Sequence, residues 1–286
     1  MTARIGIVGG SGLYDMPELA HREERVVATP FGDPSDAYVL GELSGVPVAF
    51  LARHGRGHRH SPTEVPYRAN VWGFKVLGCD AIFSASAAGS LREELAPSHV
   101  CVPDQFIDRT RKRVDTFFRD GIVAHVSLAD PVCPAGSQVL VDAARGAGAV
   151  VQAGGTYVCM EGPPFSTRAE SNLYRSWGAS VIGMTNLTEA KLAREAEICY
   201  ATMALVTDYD CWREATEAVS VDTILAVLRG NAVMAQRALL TAVKRLDPDR
   251  RCACRDALRY AILTDPARIP AKVRADLAPI LGKRLP

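Results

Sequence analysis

The sequence of 286 residues lacks an excess of charge of either sign, because 33 lysines and arginines are balanced by 32 aspartates and glutamates. Nonspecific binding to nucleic acid or to an anionic membrane needs a basic surface, so the balance argues against both partners. No apolar run approaches the ~20 residues of a membrane span, and the opening run at residues 5–8 is too short for a signal peptide. We therefore expect a cytoplasmic protein.

The chain is also poor in cysteine, with eight residues that are scattered rather than grouped as in a disulfide scaffold. Most of them lie in apolar stretches, a pattern typical of buried free thiols. Internal repeats, low-complexity tracts and blocks of like charge are missing, and the counts of glycine (23) and proline (17) are ordinary. These absences exclude fibrous and disordered architectures and leave a globular chain that can bury its own core.

Short apolar runs with many β-branched residues recur between glycine and proline turns and predict buried strands. These runs are residues 5–8, 38–40, 46–51, 81–83, 100–102, 156–160, 180–184 and 200–206. Helical patterns lie between them at 67–76, from a capping box at Thr167 to Trp177, and from Ser220 to Leu246. The alternation predicts an α/β fold: a single domain with a central twisted mixed β-sheet flanked by helices.

Asp247-Pro248-Asp249 is the best internal boundary in the sequence. It separates a main body, residues 1–246, from a C-terminal helical tail, residues 247–286. We expect the tail to pack on the same domain.

The first candidate site is the glycine turn Gly9-Gly10-Ser11-Gly12, which follows the first predicted strand. Closely spaced glycines let the backbone approach a ligand, and the backbone N–H groups with the Ser11 hydroxyl suit an anion. The turn lacks the Gly-Lys-Ser/Thr of a P-loop, and a plain tight turn explains it equally well.

Residues 53–60 form the second candidate, with Arg53 and His54 at the start of a run of six cationic or titratable side chains. A basic loop at the carboxyl end of a strand suits an anion. Two alternatives stay open: a solvated basic loop, and a metal site built from His54, His58 and His60.

Three further segments also follow predicted strands. Residues 84–93 are rich in small side chains, which suit either close passage under a ligand or tight packing of strand against helix. Residues 160–167 display Phe165 beside a Pro-Pro turn, either as a stacking face for a flat heterocycle or as a core ring. Asp208 and Asp210 follow the last strand, where two acids need either nearby cations or the donors of a ligand.

The order and spacing of these motifs resemble the S-methyl-5'-thioadenosine phosphorylases of the purine nucleoside phosphorylase superfamily. The matching segments are residues 5–13, 29–32, 51–56, 89–94, 104–110, 161–163, 168–171 and 207–212. The resemblance implies a purine nucleoside phosphorylase-like fold and the phosphorolysis of 5'-methylthioadenosine to adenine and 5-methylthioribose 1-phosphate in purine and methionine salvage. It also implies a homotrimer or hexamer, with no metal or organic cofactor because inorganic phosphate is the co-substrate of the nucleoside.

The resemblance further implies a role for each matching residue. Asp208 and Asp210 are the expected catalytic acids, which face the departing purine. The expected phosphate contacts are Ser11, Arg53, His54, Ser86, Ala87 and Thr185. The expected base and ribose contacts are Phe165, Ser166 and Met184, and the 5' pocket is Val221, Ile224 and Leu225, with His125 from a neighbouring subunit.

Asp208 points to adenine rather than a 6-oxopurine, because a carboxylate accepts from a 6-amino group and opposes a 6-oxo acceptor. The alternatives are a phosphorylase for another 5'-modified nucleoside, such as 5'-deoxy- or 5'-halo-5'-deoxyadenosine or 5'-methylthioinosine, and a non-catalytic nucleotide-binding module. The sequence departs from relatives at Pro164, where a basic residue is usual. Cys252 and Cys254 resemble a Cys-x-Cys that forms a disulfide in some thermophilic relatives, and we expect two free thiols here.

Overall fold

A mixed β-sheet of eleven strands forms the centre of the part of the chain that the computed structural model describes, which is residues 3–10, 13, 16–213, 221–282 and 284–285. The strands are β1 (Ile5–Gly9), β2 (Ala20–Arg25), β3 (Tyr38–Leu43), β4 (Val46–Ala52), β5 (Ala81–Ser90), β6 (Val100–Val102), β7 (Gln105–Arg109), β8 (Val151–Ala153), β9 (Thr156–Met160), β10 (Val181–Gly183) and β11 (Cys199–Asp208). The helices are α1 (Tyr67–Val76), α2 (Pro134–Gly146), α3 (Arg168–Ser176), α4 (Asn186–Glu195), α5 (Val221–Arg245), α6 (Ala271–Asp276) and α7 (Ala278–Leu281).

Strand β5 organises the sheet, because it pairs with three other strands. Its first half lies parallel to β1 on one side, and nearly its whole length lies parallel to β11 on the other. Beyond the end of β1, the last residues of β5 pair with β10 in the antiparallel direction. The ends of β1, β5 and β11 therefore share one edge of the sheet, next to β10.

Helices cover both faces of this sheet. On one face, Val8 and Ile82 pack into a core that includes residues of α1, α4 and α7. On the other face, Ile7 and Phe83 pack into a core with residues of α2 and α5. Neighbouring residues of one strand thus enter opposite cores, which explains why these strands are apolar throughout rather than alternating. The predicted α/β fold with a central mixed sheet flanked by helices is confirmed.

Each of the eight predicted strands overlaps an observed strand, and the helix at 67–76 has the predicted bounds. The Thr167 capping box is present, with Thr167 and Glu170 each accepting from the other's backbone N–H. The sequence patterns missed β2, β7, β8, α2 and α4, and they gave no bounds for α6 and α7, which lie in the predicted helical tail. Strand β2 is polar and mostly exposed at the edge of the sheet, and α4 is buried almost all round, so neither has the expected amphipathic period.

The segment after α5 packs on the main body through polar and apolar contacts. Arg250 donates to a carboxylate oxygen of Asp80 at 2.9 Å, and Trp72 donates its indole N–H to the carbonyl of Asp276 at 3.0 Å. Leu281 lies in the same core as α1. The division into residues 1–246 and 247–286 stays a prediction. Within the described residues, no helix is both long and apolar enough to span a membrane.

Candidate active site

The carboxyl ends of the central strands bring several predicted site residues to one place. Gly9, at the end of β1, pairs with Ala85 of β5, and Asp208, at the end of β11, pairs with Gly89. Ser86 and Ala87 occupy the stretch of β5 between these two levels, and Ser86 is buried whereas Ala87 is exposed. Because ligands of open α/β sheets bind outside the carboxyl ends of strands, this edge is the candidate site.

A buried polar network positions Arg53 and Ser86, two of the expected phosphate contacts. We call this part of the edge the anion side. The guanidinium of Arg53 donates to both carboxylate oxygens of Glu189 and to the hydroxyl of Ser84 at 2.6 Å. Asn186 donates to Ser84 at 2.9 Å and accepts from the Ser86 hydroxyl at 2.7 Å. Two of the predicted phosphate residues, Arg53 and Ser86, are therefore positioned through the first turn of α4.

No pattern in the sequence marks Glu189 and Asn186 as residues of the candidate site. They lie four and one residues after Thr185, in a helix whose described residues are almost all buried. The sequence of this helix, NLTEAKLARE, is mostly polar, so the burial of Glu189 and Asn186 is visible only in the structure, where buried acids and amides take hydrogen-bond partners.

His54 lies next to Arg53 with a fixed ring orientation. Its Nδ1 lies 2.9 Å from the carbonyl oxygen of His60, and its ring stacks on that of His58 with centroids 4.3 Å apart. Burial and the neighbouring charge of Arg53 lower the pKa of His54 to about 4. The imidazole is thus neutral at pH 7, and because a carbonyl only accepts, Nδ1 carries the proton and Nε2 is left as an acceptor.

The rest of the basic loop serves structure rather than the candidate site. Arg56 is exposed and bonds to the carboxylates of Asp36 and Glu24, and Arg59 donates to the carbonyl of Ser35. The predicted anion site at residues 53–60 is therefore limited to Arg53 and His54, and their role stays a prediction. Among the described residues, its histidines form no group spaced for a metal ion.

Met184 and Thr185 complete the same edge from the other side. They follow β10, whose Ile182 pairs with Gly89. Thr185 is buried at the start of α4, and the Met184 thioether packs closely on Gly162. A side chain at Gly162 would place its Cβ 2.6 Å from the Met184 sulfur, so this contact needs glycine.

Asp208 and Asp210 are ordered by their own hydrogen bonds. Asp208 accepts from the Thr207 hydroxyl and from the backbone N–H of Asp210, both at 2.7 Å. Asp210 accepts from the Ser171 hydroxyl at 2.5 Å. Burial raises the pKa of Asp210, an effect that the bond from Ser171 partly offsets. Asp208 is exposed, so the pair presents one exposed acid beside a half-buried acid that takes a proton more readily than usual.

Phe165 and Ser166 lie on the loop between β9 and α3. The ring of Phe165 is 82% exposed, so its interpretation as a core ring is wrong. Ser166 is buried, and its carbonyl accepts from the thiol of Cys211, next to Asp210. The loop is anchored by Glu161, whose carboxylate accepts from the buried Arg113 at 3.1 Å.

Arg113 joins two loops of the candidate site. Its side chain is only 1% exposed, although it lies in a loop of polar residues. It donates to the carbonyl oxygens of Met184 and Glu161, and so connects the loop after β9 with the loop after β10.

The other predicted residues are not joined to this group in the described part of the chain. His125 is exposed, and its backbone N–H donates to the carbonyl of Ala261 on the C-terminal segment. Ser11 lies outside the described residues. Val221, Ile224 and Leu225 belong to the first turns of α5, and their side chains also lie outside the described part.

Comparisons with known proteins agree with this architecture. Residues 4–244 match the Phosphorylase superfamily. An S-methyl-5'-thioadenosine phosphorylase of Geobacter sulfurreducens is 60% identical over 279 residues, 97% of this chain and 98% of the relative. The crystal structure of a methylthioadenosine phosphorylase sourced from an antarctic soil metagenomic library is 50% identical, with a TM-score of 0.94 over 98% of this chain and 100% of that chain.

A methylthioadenosine phosphorylase from Schistosoma mansoni, solved in complex with adenine, is 37% identical with a TM-score of 0.81 over 99% of both chains. These similarities extend over nearly the full length of each protein, so they concern the whole fold and not a shared motif. The chain therefore belongs to the Phosphorylase superfamily and, within it, to the family of the S-methyl-5'-thioadenosine phosphorylases, and it is an enzyme.

Proposed function

We propose that this enzyme cleaves S-methyl-5'-thioadenosine by phosphorolysis and releases adenine and 5-methylthioribose 1-phosphate. The observation that carries the proposal is the separation of two kinds of group along one strand. The network of Arg53 lies at the level of Ala85 and Ser86, and the acid pair lies at the level of Gly89. Three residues of strand span about 10 Å, which leaves room for a ribose between a phosphate and a purine.

The anion side favours bound phosphate through directed donors. Nη1 of Arg53 donates to the carbonyl of Ala85 and lies close to Gly10, 3.7 Å from the position that a Cβ there would occupy. A phosphate held there, beside Ser86 and with the Thr185 hydroxyl as a further donor, is positioned to attack the anomeric carbon, and positioning is a large part of the catalysis of such a step. The phosphate charge also stabilises the oxocarbenium character of the ribose in the transition state.

The acid side favours departure of the base. The glycosidic bond breaks with its electron pair going to the purine, so a proton at N7 or a strong hydrogen bond there lowers the barrier. Asp208 accepts from the 6-amino group of adenine, and Asp210, whose pKa is raised by burial, is the proposed carrier of the proton. The exposed ring of Phe165 is available to stack on the purine.

The 5' substituent and the assembly are part of the same proposal. Val221, Ile224 and Leu225, whose side chains lie outside the described part of the chain, are the proposed apolar contacts of a methylthio group. His125 is the proposed contribution to the pocket of a neighbouring subunit in a homotrimer or hexamer. An exposed apolar patch supports this assembly, because Val123, Tyr260 and Leu263 lie on the two segments joined beside His125. Sedimentation of the purified chain distinguishes a monomer from a trimer or hexamer.

We further propose that catalysis needs no metal or organic cofactor, since phosphate supplies the nucleophile and carboxyl groups supply the proton. The reaction belongs to purine and methionine salvage in the cytoplasm. We expect the enzyme to keep its activity after exhaustive dialysis against a chelator, when phosphate is the only addition to the nucleoside.

The deciding experiment measures adenine release from S-methyl-5'-thioadenosine with and without phosphate, beside adenosine, 5'-chloro-5'-deoxyadenosine and 5'-methylthioinosine. We expect release that depends on phosphate and is fastest with S-methyl-5'-thioadenosine. An apolar pocket separates methylthio from hydroxyl by only ~1–3 kcal/mol, so adenosine should be a slow substrate. Faster cleavage of another 5' variant would keep the reaction and change the substrate, and release without phosphate would mean hydrolysis and contradict the proposal.

A further inference from the structure

A group of four cysteines lies away from the candidate active site. Cys133 precedes the first residue of α2, Cys199 is the first residue of β11, and Cys252 and Cys254 lie on the segment after α5. Their Sγ atoms all lie within 4.8 Å of one another. Three of the four side chains are buried, and Cys252 is half-buried. We call these residues the four-cysteine cluster.

The spacing of the sulfur atoms fits coordination of one metal ion. Zinc binds thiolates at about 2.3 Å, so the sulfurs of a tetrahedral site lie roughly 3.8 Å apart. The sulfurs of Cys199 and Cys252 are 3.2 Å apart, and all pairs fall below 4.8 Å. Four mutually close sulfurs are the ligand set that selects zinc or iron over hard cations such as magnesium.

The surroundings of the cluster suit a site with an excess of negative charge. Four thiolates and one Zn²⁺ carry a net charge of −2, which needs nearby cations or donors. The Nε of Arg250 donates to the sulfur of Cys199 at 3.4 Å, and Arg250 is itself held by Asp80. Cys133 stands at the N-terminus of a 13-residue helix, whose dipole favours an anion.

The cluster is also accessible to an ion. A cavity of about 410 Å³ is lined by Cys252 and Cys254 together with Ser127, Asp130 and Arg194. This cavity offers an entry path through the half-buried Cys252. The cluster is remote from the acids of the candidate site, because Cys199 and Asp208 are the first and last residues of β11, about 30 Å apart along the strand.

We propose that the four-cysteine cluster binds one Zn²⁺ ion per chain as a structural site. Binding replaces four S–H bonds by four Zn–S bonds and releases four protons to solvent. The ion would fasten the segment after α5 to the start of β11 and to α2, and so add stability to the fold without taking part in the reaction. The expectation of a metal-free substrate site is unaffected.

The test uses the full chain, reduced and then loaded with Zn²⁺, with excess ion removed. We expect one zinc per chain by native mass spectrometry, and the half-buried Cys252 should react more slowly with a thiol reagent in the zinc-loaded chain than in the zinc-free chain. A strong chelator should remove the ion and lower Tm. When the chelated chain is then unfolded in denaturant, all eight thiols should react. The double variant Cys252→Ser/Cys254→Ser should bind no zinc, whereas Cys79→Ala, which changes a buried cysteine outside the cluster, should still bind one.

A second measurement does not depend on the folding of any variant. Co²⁺ loaded into the unaltered chain should give the thiolate charge-transfer band and the visible spectrum of a tetrahedral sulfur site. Three results would overturn the proposal. The loaded chain retains no zinc, or zinc persists in the double variant. The third is a mass that is lower by two or four hydrogens, which would show one or two disulfides within the cluster.

Discussion

The carboxylate of Glu189 is bonded along one side of the Arg53 guanidinium, with Nε 2.5 Å from Oε1 and Nη2 3.2 Å from Oε2. Both side chains are buried, with 1% and 6% exposed. Since His54 is neutral at pH 7, the Arg53 charge is balanced within the protein and the anion side carries no large positive surplus. The phosphate binding that we propose there therefore depends on the direction of the donors as well as on charge.

Glu189→Gln should therefore weaken phosphate binding selectively. Glutamine removes the charge that orients the guanidinium and introduces a donor where the network needs an acceptor. Removing one partner of a buried ion pair typically destabilises a protein by about 3–5 kcal/mol. We expect the KM for phosphate to rise by roughly tenfold or more, with a smaller change in the KM for the nucleoside and a lower Tm.

The matched control is Glu23→Gln, which makes the same change in an exposed ion pair with Arg25 on the edge strand. This variant should keep both KM values and Tm, because exposed pairs contribute little. A Glu189→Gln enzyme that loses stability but keeps its phosphate KM would limit Glu189 to a structural role.

Phe165→Ala should raise the KM for the nucleoside and leave stability unchanged. The ring is 82% exposed, so the folded chain gains little from it, whereas stacking on a base is worth about 1–3 kcal/mol. We expect a KM increase of roughly tenfold with an unaltered Tm, and near wild-type kinetics for Phe165→Tyr. An unchanged nucleoside KM in the alanine variant would contradict the stacking role.

Asp208→Asn should separate recognition of adenine from general damage to the site. Asparagine keeps the shape of the side chain and its oxygen can still accept from the Asp210 N–H, so the loop should hold. The new amide donor opposes a 6-amino group and suits a 6-oxo group. Activity on adenine nucleosides should fall by about 10²–10⁴, and activity on inosine-type substrates should fall less. Equal losses on both would contradict base recognition by Asp208.

The sequence predicted the strands of the sheet well because their signal is local. Each central strand is buried on both faces, so it appears as a short apolar run, and the capping box of α3 is likewise complete within four residues. Strand β2 was missed because its partners, and not its own polar residues, place it in the sheet.

The candidate site was predictable only in part for a related reason. Arg53 directly follows a strand and Asp208 ends one, so each has a local context that a motif can reveal. Glu189 and the Arg113–Glu161 bond act across the sheet or between loops, and pairs that are 136 and 48 residues apart leave no local pattern. The four-cysteine cluster was missed in the same way, since its members come from three separate segments.

His54 should make the protein less stable as the pH falls. Its pKa is about 4 in the fold and 6.5 ordinarily, so the unfolded chain binds the proton first. Stability is fully present above pH 6.5 and is lost down to pH 4, by at most about 3 kcal/mol. The free energy of unfolding, measured by denaturation at several pH values between 4 and 7, should depend less on pH in His54→Gln than in the unaltered chain. The exposed control His21→Gln should keep the original slope.

Glu195 should act in the opposite direction over an overlapping range. It is buried, and burial raises its pKa to about 7, against the opposing hydrogen bonds from the Phe117 N–H and the Thr116 hydroxyl. The fold holds this proton when the unfolded chain has lost it, so the stabilisation is complete below pH 4.5 and disappears as the pH rises through 7.

Glu195→Gln should abolish this loss, because the amide stays neutral at every pH in the range. The difference in the free energy of unfolding, variant minus unaltered chain, should therefore increase between pH 5 and 8, by at most about 3 kcal/mol. Glu18→Gln, at an exposed position, should show no such gain. Parallel pH curves for Glu195→Gln and the unaltered chain would mean that the carboxyl is already ionised in the fold at pH 5, held by the two hydrogen bonds from residues 116 and 117.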